Sequence, residues 1–312
     1  MSRRTLRAVA RTSGATRPLK EGAIDTGDIA FAWEDVSPLP KAFRRMVRDL
    51  EWDVTEMALA TFVSARARGV PLLGIPAFPV RDFAHKSVIR AKGVKLAGPK
   101  DLEGRRVGVN RGFATTPGVW ARDVLYHEHD VDLSQITWAR SADEHVPGWT
   151  PPPNVEDLGG SGEIEEELAE GHVAAAVGLS AGERTVPVIP EPFEAGLASL
   201  RETGLYPIIH LLVIREDVAL AEPGVARAVY DAFTAAKNAY VADLKAGRVA
   251  EPGAAGEVHL AAMEVLADPL PYGLGPNLPM LERMVEACVA QGIVDAPLPV
   301  GGMFAEDVRD TG

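Results

Sequence analysis

The sequence predicts an α/β protein of two lobes, the second inserted into the first. Short apolar runs rich in β-branched residues alternate with segments of helical spacing, a pattern that implies parallel sheets. Runs near residues 86–92 and 203–208 read as strands that carry the chain from one half to the other. At 312 residues the chain is long enough for two α/β cores. The expected limits are 1–88 with 206–312 for lobe 1 and 89–205 for lobe 2, with a central cleft between them.

Residues 5–10 alternate apolar and polar side chains and read as the first strand. A polar loop, 12–19, leads towards a short helix, and 29–33 is a second strand. Ser37-Pro38 opens a helix in which Phe43, Met46, Val47 and Leu50 recur at helical spacing. Residues 53–58, bounded by charge, run into a helix that ends near Arg68-Gly69. Residues 72–79 form a buried strand, and 87–90 a strand leaving the first half. In the second half, residues 107–109 are a strand, and a helix starts at Pro117. The stretch 141–162, with Pro147, Pro151, Pro152, Pro153, Gly159 and Gly160, is a long loop of the kind that is functional or mobile. An acidic helix at 162–170 and a strand at 173–177 follow. Residues 205–214, the longest apolar run, form the returning strand. Helices are expected at 225–244, 257–266 and 278–291, the last two separated by a turn at 271–277.

Composition narrows the function classes. The chain is 46% hydrophobic and 24% charged, as in ordinary soluble globular proteins, and its net charge of −12 argues against nucleic-acid binding. Cys288 is the single cysteine, so no intrachain disulfide forms. It falls in a helical pattern with Leu281, Met284 and Val285, which suits an inert buried thiol. The first residues, from Met1 to Arg11, contain no apolar run of signal-peptide length, and no stretch reaches membrane-spanning length. A cytoplasmic protein is expected. No zinc-protease, CxxC, P-loop or dinucleotide fingerprint is present.

Several residues are candidates for chemistry. In 104–120 a strand, a glycine loop and a helix start aim backbone N–H groups and a positive dipole end at one point. Arg111, Thr115 and Thr116 add donors there, which suits a carboxylate; an ordinary capped connection accounts for the same pattern. His85 and His210 lie at or beside the two crossings, where an imidazole exchanges protons near neutral pH, or is satisfied by backbone. Arg81 suits a bidentate carboxylate contact or a structural salt bridge. Glu56 lies at a strand end, facing either the cleft or a salt-bridge partner. Trp33 and Phe83 suit stacking on an aromatic ring, or the core. His127 and His129 flank Glu128 but point to different helix faces, which does not suit a metal site.

The order of several blocks resembles the 4,5-dihydroxyphthalate decarboxylase family. These blocks are Asp53-Val54-Thr55-Glu56-Met57-Ala58-Leu59, then Ile75-Pro76-Ala77-Phe78-Pro79-Val80-Arg81-Asp82-Phe83-Ala84-His85, then Asp101-Leu102-Glu103-Gly104-Arg105-Arg106-Val107-Gly108-Val109. Tyr206-Pro207-Ile208-Ile209-His210 and Pro271-Tyr272-Gly273 with Asn277 complete the set, which spans nearly the whole chain. The resemblance implies a type II periplasmic-binding-protein-like fold, with the ligand between two lobes. The chain departs from the family at Asn110-Arg111-Gly112 and Ser37-Pro38-Leu39-Pro40, positions that bear on the substrate more than on the reaction.

That resemblance implies a lyase performing non-oxidative decarboxylation of a hydroxylated aromatic carboxylic acid. Arg81, Arg111, Thr115 and Thr116 would hold carboxylates, Trp33 and Phe83 the ring. His85 and His210 would supply the acid and the base, with Glu56 in reserve. The alternatives are a small-carboxylate solute-binding protein without catalysis, and a dehydratase or lyase acting on another cyclic acid. No organic cofactor is implied; a divalent metal held by His and Glu stays open. The expected partner is a small aromatic or cyclic carboxylate, with neither nucleic acid nor membrane, and a homodimer through the C-terminal helices is the assembly considered.

Overall fold

The computed structural model describes residues 3–160 and 162–312. Met1 and Ser2 of the N-terminal stretch, and Ser161 of the 141–162 loop, lie outside the described residues. In chain order the elements are β1 (Arg4–Val9), α1 (Arg17–Lys20), β2 (Ile29–Trp33), α2 (Pro40–Asp49), β3 (Val54–Ala58), α3 (Leu59–Ala67), β4 (Leu72–Arg81) and β5 (Val88–Ala91). Then come β6 (Arg106–Val109), α4 (Thr116–His129), β7 (Thr137–Arg140), β8 (Val155–Asp157), α5 (Ile164–Ala169), β9 (Ala175–Val177), β10 (Thr185–Pro187) and α6 (Pro192–Thr203). The chain finishes with β11 (Ile208–Arg215), α7 (Glu216–Ala221), α8 (Val225–Lys245), α9 (Gly253–Ala262), α10 (Leu278–Ala290) and α11 (Val300–Met303).

The chain divides into two compact units: residues 1–82, 208–285 and 298–312 form unit 1, and residues 83–207 with 286–297 form unit 2. The sequence reading assigned 83–88 and 286–297 to lobe 1. In the structure His85 bonds Glu128 and Gln291 bonds Arg122, and these contacts tie both segments to unit 2.

Unit 1 is built on a five-stranded sheet of order β2-β1-β3-β11-β4. Strands β1, β2 and β3 are parallel, while β11 runs antiparallel between β3 and β4. Every residue of β3 is buried, including Thr55 and Glu56, so this central strand carries a carboxylate into the core. Helix α2 covers β3 with Phe43, Met46 and Val47, an i, i+3, i+4 stripe that matches its predicted spacing.

Unit 2 has a six-stranded mixed sheet of order β10-β5-β9-β6-β7-β8. Strand β8 lies inside the predicted 141–162 loop and pairs in parallel with β7, Val155 opposite Trp138. Three residues are too few to show a two-residue period, which is why sequence reading missed it. Helix α9 begins at Gly253, earlier than the predicted 257, directly after the Pro252 cap. Among the described residues no helix is long and apolar enough to cross a membrane.

Candidate active site

In unit 1 the register of the sheet places one histidine and one carboxylate on the same face. Glu56 of β3 is opposite Leu212 of β11, so His210, two residues along β11, is its diagonal neighbour. The β11–β4 register shifts on both sides of His210, an irregularity of the kind that re-aims side chains. His210 Nδ1 lies 2.5 Å from Glu56 Oε1. Arg11, just beyond the end of β1, donates its backbone N–H to Glu56 Oε2 at 2.9 Å and its Nε–H to Oε1 at 2.8 Å. The ring of Phe43 meets the imidazole edge-on, with centroids 5.1 Å apart.

The charges in this cluster follow from burial and partners. Burial alone would raise the Glu56 carboxyl, but the His210 bond, the Arg11 charge and the Arg11 N–H hold it below the usual carboxylate range. Burial pushes the His210 imidazole below its ordinary value against the pull of Glu56, and the Arg11 charge adds to the shift. The cluster therefore holds an ionised Glu56 and a neutral His210. Nδ1 faces both Glu56 Oε1 at 2.5 Å and Arg11 Nη2 at 3.2 Å; the shorter contact, to an anionic acceptor, favours the proton on Nδ1 and the lone pair on Nε2, which bonds no described residue. A neutral imidazole with an open Nε2 is chemically able to accept a proton.

Arg81 lies at the end of β4 and is buried, donating from Nη2 to Pro271 O at 3.0 Å and to Asn277 Oδ1. Its guanidinium also stacks over Phe78, 5.6 Å from the ring centroid. The predicted carboxylate contact of Arg81 is thus replaced by anchoring of the 271–277 turn. Trp33 stacks on Phe31 with centroids 4.8 Å apart and meets Phe233 edge-on, packing as part of an aromatic cluster. Tyr272, which the turn carries, is buried; its hydroxyl finds no partner among the described residues, and burial pushes its acidity further out of the physiological range.

In unit 2 the expected strand, loop and helix start are present, with Thr115 as the N-cap of α4 and Pro117 in its first turn. The anion in the loop ahead of this helix is the chain's own. Glu144 accepts the N–H of Phe113 at 2.6 Å and that of Ala114 at 3.0 Å. A Cβ on Gly112 would lie 2.6 Å from Glu144 Oε2, so glycine is what admits the carboxylate. Arg111 adopts the left-handed region with φ of 67°, its N–H bonds Ser141 Oγ, and its side chain is exposed. The Thr115 hydroxyl turns back to Asn110 O, and Thr116 is fully buried. Behind the loop, buried Arg122 bonds Phe113 O and Gln291 Oε1 and stacks 3.8 Å from the Phe113 ring centroid. Burial pushes its guanidinium down to about 9, against the pull of the Glu144 charge.

His85 is elsewhere in unit 2. Its Nε2 lies 2.7 Å from Glu128 Oε2, and Ser199 Oγ donates to Oε1 of the same carboxylate. Burial opposes ionisation of Glu128, yet the bonds from His85 and Ser199 hold it low. Glu128 and Thr116 stand at opposite ends of α4, about 18 Å apart along the axis. Unit 2 therefore gives His85 a carboxylate partner remote from Arg111, Thr115 and Thr116. Phe83 is 2% exposed and wedged among Phe193, Tyr206 and Gly196, so it is core where sequence reading offered it to a substrate ring. Among the described residues Glu167, Glu170 and His172 bring metal-type ligand atoms within 4.8 Å of one another, in unit 2.

Of the predicted residues, the structure brings Glu56 and His210 together and joins to them Arg11, which sequence reading missed. Arg11 follows the strand in a polar loop, where no periodicity marks it; a cation just past a strand end, beside a buried strand glutamate, was the available signal. Glu144 was hidden in the Pro/Gly-rich loop.

No family model matches the chain. A 4,5-dihydroxyphthalate decarboxylase of Comamonas testosteroni is 26% identical over 314 residues, covering 92% of each chain. Another, of Pseudomonas putida, is 32% identical over 133 residues, which is 42% of this chain and 50% of the relative. Among solved structures, the periplasmic aliphatic sulphonate binding protein SsuA of Escherichia coli matches with a TM-score of 0.60 at 11% identity, over 99% of both chains. The desulfurization enzyme DSZB matches with a TM-score of 0.54 at 15% identity, over 99% of this chain and 98% of its own. The chain therefore has a type II periplasmic-binding-protein-like fold, and over nearly its whole length its sequence resembles the 4,5-dihydroxyphthalate decarboxylases.

Proposed function

We propose that the protein is a carboxy-lyase that removes CO2 non-oxidatively from a hydroxylated aromatic acid of the 4,5-dihydroxyphthalate type. The observation that carries the reading is the Glu56–His210 pair, a neutral imidazole fixed at Nδ1 by an ionised carboxylate. Resemblance to a decarboxylase over 92% of the chain supports the same class.

The reaction needs electron density pushed into the ring and a proton delivered to the carbon that loses its carboxylate. His210 Nε2 takes the proton of a ring hydroxyl, and Glu56 steadies the imidazolium that forms. The phenolate drives electrons to the carboxylate-bearing carbon, which accepts a proton. The bond to the carboxylate then breaks, CO2 leaves, and the bonding pair restores the aromatic ring. The net change is one proton taken up for each CO2 released, with no redox step. His85, occupied by Glu128, is left outside this chemistry.

The test is incubation of the purified protein with 4,5-dihydroxyphthalate, with mass spectrometry for loss of CO2. Turnover that His210→Asn abolishes supports the reading. Tight binding without any release of CO2 would replace it with the small-carboxylate binding protein.

A further inference from the structure

We infer that Arg11 holds the carboxylate that the substrate keeps. The inference rests on the decarboxylase reading for its chemistry and on the geometry of Arg11 for its residue. The guanidinium is gripped along its inner edge: Nε donates to Glu56 Oε1 at 2.8 Å and Nη2 lies 3.2 Å from His210 Nδ1, while the backbone N–H of the same residue occupies Oε2. The terminal edge, Nη1 with Nη2, is the one that receives a carboxylate end-on in a two-point contact. Exposure separates the three members in the same sense. The Arg11 side chain is 41% exposed, His210 9% and Glu56 0%, so the cation is the part of the cluster an incoming anion meets.

Distance then sets what the anion must look like. Arg11 Nη2 lies 3.2 Å from His210 Nδ1, so a carboxylate on the terminal edge lies next to the imidazole. A carboxylate paired with the guanidinium keeps its charge and does not leave as CO2, so the CO2 comes from a second carboxylate. Glu56 cannot serve both purposes, because Oε1 already accepts Arg11 and His210 and Oε2 accepts a backbone N–H. The product retains the carboxylate on Arg11, so simple benzoates bind there as competitors.

The experiment is calorimetric binding of phthalate, which has both carboxylates but no ring hydroxyl to start the reaction, to the wild type, Arg11→Gln and Arg11→Lys. The lysine variant keeps a cation for Glu56, so it guards against loss of the fold. Arg11→Gln is expected to weaken phthalate by about 50-fold or more, the scale of truncating one partner of a charge pair. Arg11→Lys is expected to weaken it by about tenfold, because one ammonium cannot face Glu56 and a two-point carboxylate together. With 4,5-dihydroxyphthalate, the lysine variant should raise KM by a larger factor than it lowers kcat. Absence of phthalate binding by the wild type overturns the inference, as does wild-type affinity in Arg11→Lys. A wild type that binds phthalate through Arg11 but never releases CO2 from 4,5-dihydroxyphthalate overturns the decarboxylase reading alone.

Discussion

His210 and Glu56 face each other diagonally across β11 and β3, 2.5 Å apart, with neither side chain more than one-tenth exposed. An ion-forming pair in that position is set by strand register, and removing either member leaves the other buried without its partner.

Glu56→Ala strands the Arg11 charge and the His210 Nδ1 proton together. The expected cost is about 3–5 kcal/mol, the range for breaking a buried pair. Equilibrium urea unfolding checks it. Glu56→Gln keeps the shape and removes the charge, so it should cost less in stability while still lowering turnover.

The state of His210 dictates a pH profile. Its folded pKa is lowered from the ordinary 6.5, so the neutral base form persists to more acidic pH than a free histidine allows. Activity should therefore fall on the acid side with a midpoint below 6.5, measured as kcat/KM against pH. A profile that falls instead on the alkaline side would mean that the imidazole works in its protonated form.

His259, buried beside Tyr240, is pushed from 6.5 down to about 4 by burial, with the Arg81 charge adding to it. A lowered folded pKa means the unfolded chain binds the proton more readily. Its contribution to stability is whole above about 6.5 and is lost progressively as pH falls towards 4. His259→Gln should show a shallower loss of thermal stability across that window than the wild type.

Gly112→Ala places a methyl group 2.6 Å from Glu144 Oε2, against a carboxylate that two backbone N–H groups hold. Displacing Glu144 leaves those donors buried, at an expected cost of about 1–3 kcal/mol. Denaturant unfolding of the variant, compared with Glu144→Gln, gives the number.

Arg122→Met removes the buried guanidinium that joins Phe113 O to Gln291. Amide hydrogen exchange should accelerate in residues 286–297, whose ties to the rest of unit 2 include that bond beside Gln291 Nε2 to Val119 O and Trp149 Nε1 to Gly292 O. Unchanged protection there would show that the remaining ties hold the segment.

The sequence made the frame legible because core strands and long helices leave periodic traces. Strand β2 and the start of α8 fall where the pattern puts them, and Glu56 and His210 stand out as polar residues inside apolar strands. The surroundings of those two were less legible. Whether Arg11 reaches Glu56 depends on where β1 stops relative to β3, a matter of register that a single strand does not encode. Arg81 and Phe83 have residue types suited to a substrate, but the first is bonded to Asn277 and the second lies under Gly196, contacts made across long stretches of chain. The sequence offered the helix start at Thr115 to a substrate carboxylate or to an ordinary capped connection; that Glu144 takes the N–H groups of Phe113 and Ala114 just ahead of it depends on the path of a loop with no periodicity.

The chain passes between its two units three times after the first lobe begins and once more near the end, at 82/83, 207/208, 285/286 and 297/298. During synthesis, residue 291 is made long after Arg122, so the inserted unit waits for its last strut until nearly the whole polypeptide has been translated. A fragment cut at residue 207 would lack part of both units, 208–285 and 298–312 of the first and 286–297 of the second, so no single cut in the chain separates them.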